Sequence, residues 1–402
     1  MSMTDFLKNP VKILIVDDSW VLRRVLRGTL SQRDDVHIVG EATNGIEALE
    51  MILKLQPDVI LLDMEMPVMD GMTTLQHLMI QTPTPTIMLS SLSKRGTARC
   101  FDALKYGAVD FVSKNSFFQG MDGAAHSKLV LEKIFDAAQT SVQSIDPMHQ
   151  TVHPVIAARK GEKVVFCEDC GTRQIIKNWP LSKDTLKCSK CGDDISLLID
   201  KRYRRMNFIT VIGAGESGYA NLLKIIPALN PDMGGAICVM ILDDRERVES
   251  FVQYLDAICD FEVVAGQNGT TIEGGCCYIF SGLERVLLSP YSGHYSFQVK
   301  PVDKSGDSET IDKLMISAAA LLKGRMAGVL LSGSDSNGIK GVEAILGEGG
   351  SCFILTPEHC LHKTMTSGPY VRFNLQGDLD EIKLSAEIQK CHYENKENVI
   401  TA

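Results

Sequence analysis

The chain has 402 residues, of which 45% are hydrophobic and 23% charged, and a formal net charge of −9. That length suits two or three domains, and the acidic balance argues against nucleic acid as the main partner. No apolar run approaches a membrane span and Met1 to Pro10 lacks the apolar core of a secretory signal. The expectation is a cytoplasmic protein without membrane insertion, whose twelve cysteines need an explanation other than disulfides.

In chain order, Lys12 to Val16 is an apolar run ending in Asp17 and Asp18, followed by helical spacing over Ser19 to Leu30. Val36 to Gly40 reads as a strand and Gly45 to Leu55 as a helix closed by Pro57. Val59 to Leu62 is continuous and apolar, as a strand buried on both faces should be. It delivers Asp63 to its carboxyl end, before a turn containing Pro67, Asp70 and Gly71. A helix over Met72 to Ile80, a strand ending in Ser90, a helix over Lys94 to Tyr106 and a strand ending before Lys114 complete the pattern. A last helix falls within Ser127 to Ala138. Strict alternation of strand and helix implies a doubly wound parallel sheet with right-handed crossovers. Asp17, Asp18, Asp63, Ser90 and Lys114 then share one rim. Three carboxylates converging there would repel one another unless they surround a hard divalent cation, most naturally Mg²⁺. Lys114 and Ser90 add a positive charge and a hydroxyl that would neutralise a phosphoryl group carried by Asp63.

On these residues the segment from 11 to about 120 resembles a two-component receiver domain, which has a flavodoxin-like fold. The resemblance implies that Asp63 is the phosphoacceptor, supplied by a histidine kinase, and that Asp17, Asp18 and Asp63 hold Mg²⁺. It makes Ser90 the hydroxyl that moves on phosphorylation, Phe111 the aromatic switch and Lys114 the phosphate-binding lysine. Asn115 departs from the family, which usually has proline after the lysine.

Past a polar linker, Cys167-x-x-Cys170 is answered by Cys188-x-x-Cys191, each pair followed by glycine. This spacing lies within the zinc pattern, and four thiolates around Zn²⁺ give a closed structural site. A segment of this size has little core of its own, and zinc supplies on the order of 10 kcal/mol in such modules. It resembles a zinc ribbon.

Phe208 to Ile212 begins a second α/β domain, expected to be Rossmann-like. Gly213, Gly215 and Gly218 spell G-x-G-x-x-G between a strand and a helix, so one alternative is a dinucleotide site with Asp243 or Asp244 as ribose ligand. From Val211 to about Tyr370, however, the segment resembles the chemotaxis protein-glutamate methylesterase, which hydrolyses receptor glutamate methyl esters with a Ser-His-Asp triad freed by receiver phosphorylation. The Val-Ile-Gly-Ala strand exit, the region from Glu273 to Ser281, Thr310 to Leu314 and Val329 to Gly338 carry that resemblance. The triad positions depart from it. Gly215 stands for the serine, no histidine closes the strand near Ile241 to Asp243, and Asn337 stands for the acid. Ser217 and Asp335, with a distant His294 or His359, are the residual candidates.

The expected architecture is two doubly wound parallel-sheet domains joined by a small zinc ribbon. Its parts are a receiver over 1–125, a helix and linker over 126–160, the ribbon over 161–205, a methylesterase-like domain over 206–380 and a polar, frayed tail over 381–402 with Cys391 and His392 at its surface. The expected function is that of a phosphorylation-dependent response regulator of a chemotaxis-type system. Its output domain would bind a partner, such as a chemoreceptor or another signalling protein, rather than act as an enzyme. An active methylesterase and a dinucleotide-binding domain are the alternatives.

Overall fold

The computed structural model describes residues 10–90, 94–117, 123–142, short strands within 163–196, and 206–400 apart from 207, 231–232, 260, 292–293, 303–308 and 376–377. The chain divides into two compact units, Met1–Val152 and His153–Ala402.

In the first unit five strands alternate with helices: β1 Val11–Val16, α1 Trp20–Leu30, β2 Val36–Ala42, α2 Gly45–Leu55, β3 Val59–Asp63, α3 Gly71–Gln81, β4 Thr86–Ser90, α4 Lys94–Lys105, β5 Asp110–Ser113 and α5 Gly123–Ala138. The sheet order is β2-β1-β3-β4-β5 and all pairs are parallel. This is the flavodoxin-like order, whose switch point lies between β1 and β3. The apolar runs read from sequence are buried because helices cover both faces of the sheet. Ser19, Asn44 and Asp70 cap α1, α2 and α3, each side chain accepting a backbone N–H of the first turn. The helix assigned to the linker segment belongs to this domain: Val130, Ile134 and Ala137 of α5 are buried in its core. Lys133 of α5 donates to Asp110 at the start of β5, and both residues are buried.

The second unit begins with two antiparallel pairs, β6 Lys163–Phe166 with β7 Arg173–Ile176 and β8 Thr185–Lys187 with β9 Asp194–Ser196. Its main sheet has six parallel strands: β10 Ile209–Gly215, β11 Ala236–Leu242, β12 Glu262–Ala265, β13 Cys276–Ser281, β16 Met326–Leu330 and β17 Ser351–Ile354. The order is β12-β13-β11-β10-β16-β17. A Rossmann sheet would set its third strand beside its second; here β12 goes to the edge and β13 inserts between. The hairpin of β14 Glu284–Tyr291 and β15 His294–Pro301 was not anticipated, and packs Val286, Leu288 and Phe297 into the main core. The helices are α6 Tyr219–Ile225, α7 Arg245–Ile258, α8 Thr310–Leu322, α9 Ile339–Gly347, α10 Thr364–Arg372 and α11 Glu381–Ile400. Among the described residues no helix is long and apolar enough to cross a membrane.

The expected frayed tail is instead the helix α11. Leu384 and Ile388 are fully buried, and Glu381 accepts from Asn221 (3.0 Å) and Lys224 (2.9 Å) of α6. His392, expected at the surface, is 1% exposed and packs edge-on against Phe208. Its Nδ1 is 2.6 Å from the Gly234 carbonyl and its Nε2 2.9 Å from Thr210 Oγ1. A carbonyl only accepts, so Nδ1 carries the proton and Nε2 accepts from the threonine hydroxyl. Burial pushes the His392 pKa down to about 4 from an ordinary 6.5. A base whose folded pKa is depressed leaves the unfolded chain binding more protons between those values. The stability it contributes is whole above pH 6.5 and is lost as pH falls towards 4, roughly 3 kcal/mol in all. His392→Gln should therefore flatten the fall in urea midpoint between about pH 7 and about pH 4.5. Identical pH profiles for variant and parent would contradict this account.

Candidate functional site

At the switch point of the first sheet the predicted rim residues come together. β1 and β3 are in register to Val16 and Leu62, so Asp17 and Asp63 leave neighbouring strand ends side by side. Ligand oxygens of Asp17, Asp18 and Asp63 lie within 4.8 Å of one another; Asp17 and Asp63 are buried and Asp18 is exposed. Lys114 begins the turn after β5, and its Nζ is 2.6 Å from Asp63 Oδ1 and 2.9 Å from Asp17 Oδ2. The buried oxygen Asp63 Oδ2 lacks a hydrogen-bond partner, and Asp17 Oδ2 has only Lys114 beside it. Orphaned carboxylate oxygens facing a third acid are the donor set a hard dication takes, and the residues present fit Mg²⁺. Asp17 Oδ1 is held by the Ser19 N–H (2.8 Å) and Asp63 Oδ1 accepts from the Glu65 N–H (3.2 Å).

Burial raises the Asp63 pKa to about 6; Lys114 pulls it down and Asp17 pushes it up. Burial opposes the charge on Lys114, but its bonds to the two carboxylates prevail and hold its pKa above the ordinary value. Ser90, buried, ends β4 beside Ser113 of β5. Phe111 is buried, with its ring edge-on to Phe101 at 6.1 Å between centroids.

Of the paired cysteines expected to hold zinc, Cys167 and Cys170 lie outside the described residues. Cys188 is buried and Cys191 exposed, between β8 and β9. The Lys190 N–H donates to Cys188 Sγ (3.4 Å), and Gly192 adopts a φ of +79° directly after Cys191.

In the second sheet the strand order reverses between β10 and β16, which pair in parallel, so the ligand crevice of such a fold lies at their carboxyl ends. Gly215 ends β10 there, and its N–H donates to the Ser332 carbonyl (2.9 Å). A Cβ built on Gly215 would stand 2.5 Å from Gly333 Cα. Backbone thus meets backbone at the Gly215 end of the crevice. Ser217 is buried with its Oγ 2.8 Å from Ser332 Oγ. Ser332 Oγ accepts from the His362 N–H (2.9 Å) and lies 3.2 Å from the His362 carbonyl, to which it donates. With that proton committed, Ser217 donates to Ser332, and the pair straps β10 to the loops after β16 and β17.

The β11 exit carries Leu242 and Asp243. Asp243 accepts from Tyr219 Oη, Arg247 Nη1 (both 3.0 Å) and the Asp244 N–H (2.7 Å). Burial raises its pKa to about 6, against the pull of Arg247. Asn337 Oδ1 accepts the Asp312 N–H (3.1 Å) in the first turn of α8, while Asp312 Oδ1 accepts the Gly341 N–H (2.7 Å) in the first turn of α9. Asp335 accepts the Asn337 N–H (3.1 Å). His359 sits 3.3 Å from Asp378, and His294 lies on the hairpin opposite Tyr291. Ser332, Tyr219 and His362 escaped sequence reading because their contacts join segments far apart in the chain, whereas Arg247 bonds Asp243 only four residues away.

The fingerprint glycines are crowded by the protein itself. A Cβ at Gly213 would meet Ile311, and one at Gly218 would meet Ala214. Close packing accounts for them without a bound dinucleotide.

Residues 13–123 match the response regulator receiver domain family and residues 210–371 the CheB methylesterase family. The protein-glutamate methylesterase/protein-glutamine glutaminase 1 of Syntrophomonas wolfei is 31% identical over 272 residues, covering 67% of this chain and 66% of that protein. The protein-glutamate methylesterase/protein-glutamine glutaminase of Pseudoalteromonas atlantica is 28% identical over 353 residues, covering 85% of this chain and 89% of that protein. Among solved structures, the response regulator domain of Thermotoga maritima CheB is 38% identical, with a TM-score of 0.31, covering 33% of this chain and 99% of that domain.

Proposed function

With a response regulator receiver domain and a CheB methylesterase domain in one chain, we propose a phosphorylation-dependent regulator of a chemotaxis-type two-component system, working in the cytoplasm. A histidine kinase supplies the phosphoryl group and Asp63 accepts it. The observation that carries this reading is the Asp17, Asp18 and Asp63 cluster closed by Lys114 at the switch point of the sheet. Mg²⁺, when bound by the three carboxylates, offsets charge on the transferring group. Lys114 follows the charge on Asp63, Ser90 supplies a hydroxyl to the phosphoryl oxygens, and Phe111 answers that movement from within the core. Phosphate adds about 1.5 to 2 negative charges at this rim, enough to repack a surface.

In this reading the methylesterase domain binds a chemoreceptor without hydrolysing it, because no serine or histidine stands at the family's positions and the space beside Gly215 is filled by Gly333. The names of the relatives favour a second reading, hydrolysis of receptor glutamate methyl esters. One experiment separates them: methylated receptor is mixed with the chain with and without acetyl phosphate, and co-sedimentation and methanol release are measured together. Phosphate-dependent binding without methanol is the expected result. Methanol released in turnover and abolished by Ser217→Ala would establish the second reading.

Cys167, Cys170, Cys188 and Cys191 are proposed to hold a structural Zn²⁺. The bond from the Lys190 N–H to Cys188 and the left-handed Gly192 support it, since both fold the chain tightly around a thiolate. About one zinc per chain is expected by elemental analysis, falling to background in Cys188→Ser. Zinc content unchanged by that substitution would count against the site.

A further inference from the structure

The receiver sheet has one edge bordered by an open groove. Among the described residues β2 is the outermost strand, paired on one side only, with β1. Its residues from Val36 to Glu41 line a cavity of about 510 Å³, walled by Arg27 and Ser31 at the end of α1 and by Arg33. An edge strand presents N–H and C=O groups that another extended chain can pair with, and proteins usually blunt such edges with lysine or proline. β2 contains neither.

The charge is arranged in layers. The carboxylates lie inside: Asp35 has a side-chain exposure of 5% and bonds Arg33, and Glu41, at 19%, bonds Arg23 and Arg27. The arginines lie outside: Arg27 is 62% and Arg33 38% exposed, with the exposed imidazole of His37 beside them. Asp34, also exposed, flanks Arg33 outside the groove, but within the groove lining Arg27 and Arg33 outnumber the one carboxylate, Glu41. The edge also touches the phosphoacceptor site through one side chain, because Arg23 bonds Glu41 and the Asp17 carbonyl together.

We propose that an extended acidic peptide segment of a partner protein docks in this groove as an added strand beside β2, its carboxylates facing Arg27, Arg33 and His37. Main-chain pairing would supply affinity and the basic flank would choose the partner, the usual division in strand addition. This surface is separate from the receptor-binding face proposed for the methylesterase domain, so either can fail without the other.

The test uses the full chain and a fluorescein-labelled, end-capped Glu-Val-Glu-Val-Glu-Val peptide, with Lys-Val-Lys-Val-Lys-Val as the control, read by anisotropy. The acidic peptide should bind at least about tenfold more tightly than the lysine peptide. Its affinity should fall as salt rises from about 50 to about 300 mM, and fall severalfold in Arg27→Ala and in His37→Glu. Hydrogen exchange should slow at the Ile38 to Glu41 amides when the peptide is present. Circular dichroism of both variants separates lost binding from lost folding, and His37, unpaired with the inner carboxylates in its role here, serves if Arg27→Ala unfolds. No saturable binding, equal affinity for the two peptides, or unchanged exchange along β2 would each overturn the proposal.

Discussion

Asp63→Asn takes up no phosphate from acetyl phosphate and Mg²⁺ under conditions that label the parent chain. The amide keeps the shape of the side chain but has no oxyanion to attack phosphorus, so the loss should be complete rather than partial. The same substitution should leave the urea midpoint at pH 7 equal to or above that of the parent. The sign follows from the carboxyl's raised pKa. An acid whose folded pKa lies above its unfolded value is destabilising when ionised, and burial holds Asp63 near 6. Function lost while stability is kept separates a phosphoacceptor from a structural acid. Asp110 provides the contrast: it is buried and bonded to buried Lys133, and removing one partner of such a pair costs about 3 to 5 kcal/mol. Labelling of Asp63→Asn at the parent's level would refute the assignment.

That the first site could be read from sequence and the second only in part has a physical cause. In the receiver each functional group sits at the end of an apolar run, and parallel pairing must bring those ends to one rim. Asp17, Asp63, Ser90 and Lys114 are therefore placed by local pattern plus one topological rule. In the output domain the strands were equally legible, but what fills the crevice was not. Ser217 meets Ser332 across 115 positions, and Ser332 meets His362 across 30. No periodicity predicts either contact. The C-terminal helix was lost for a different reason. Its composition is polar, and Leu384, Ile388 and His392 recur at the spacing of a helix face, but a histidine in that stripe weighs as polar until both its nitrogens are seen to be bonded within the fold.

Gly215→Ser, which would put a serine where the proposed reading expects the family's nucleophile, should disable folding before it adds any esterase activity. The backbone at Gly215 is ordinary, with φ of −82°, so the obstacle is space and not torsion. The new Cβ would stand 2.5 Å from Gly333 Cα, a backbone atom that no rotamer change can move aside. Overpacking of this kind costs about 1 to 3 kcal/mol, and sometimes more. Relief requires the loop after β16 to withdraw, which breaks the bonds from Gly215 to Ser332 and from Gly333 to His362. The other two changes meet their own resistance. Leu242→His, within the Ile241 to Asp243 strand exit where the resemblance expects a histidine, places an imidazole beside the Tyr219, Asp243 and Arg247 network. Asn337→Asp puts a second buried carboxylate against Asp312, which already caps α9 with its own. The triple variant should release no methanol from methylated receptor, and its urea midpoint should lie below the parent's. The two measurements must be made together, because on the binding-only reading inactivity in a well-folded triple variant would point to substrate binding as the missing step, whereas turnover at parental stability would show that the seam between Gly215 and Gly333 is no obstacle to esterase chemistry.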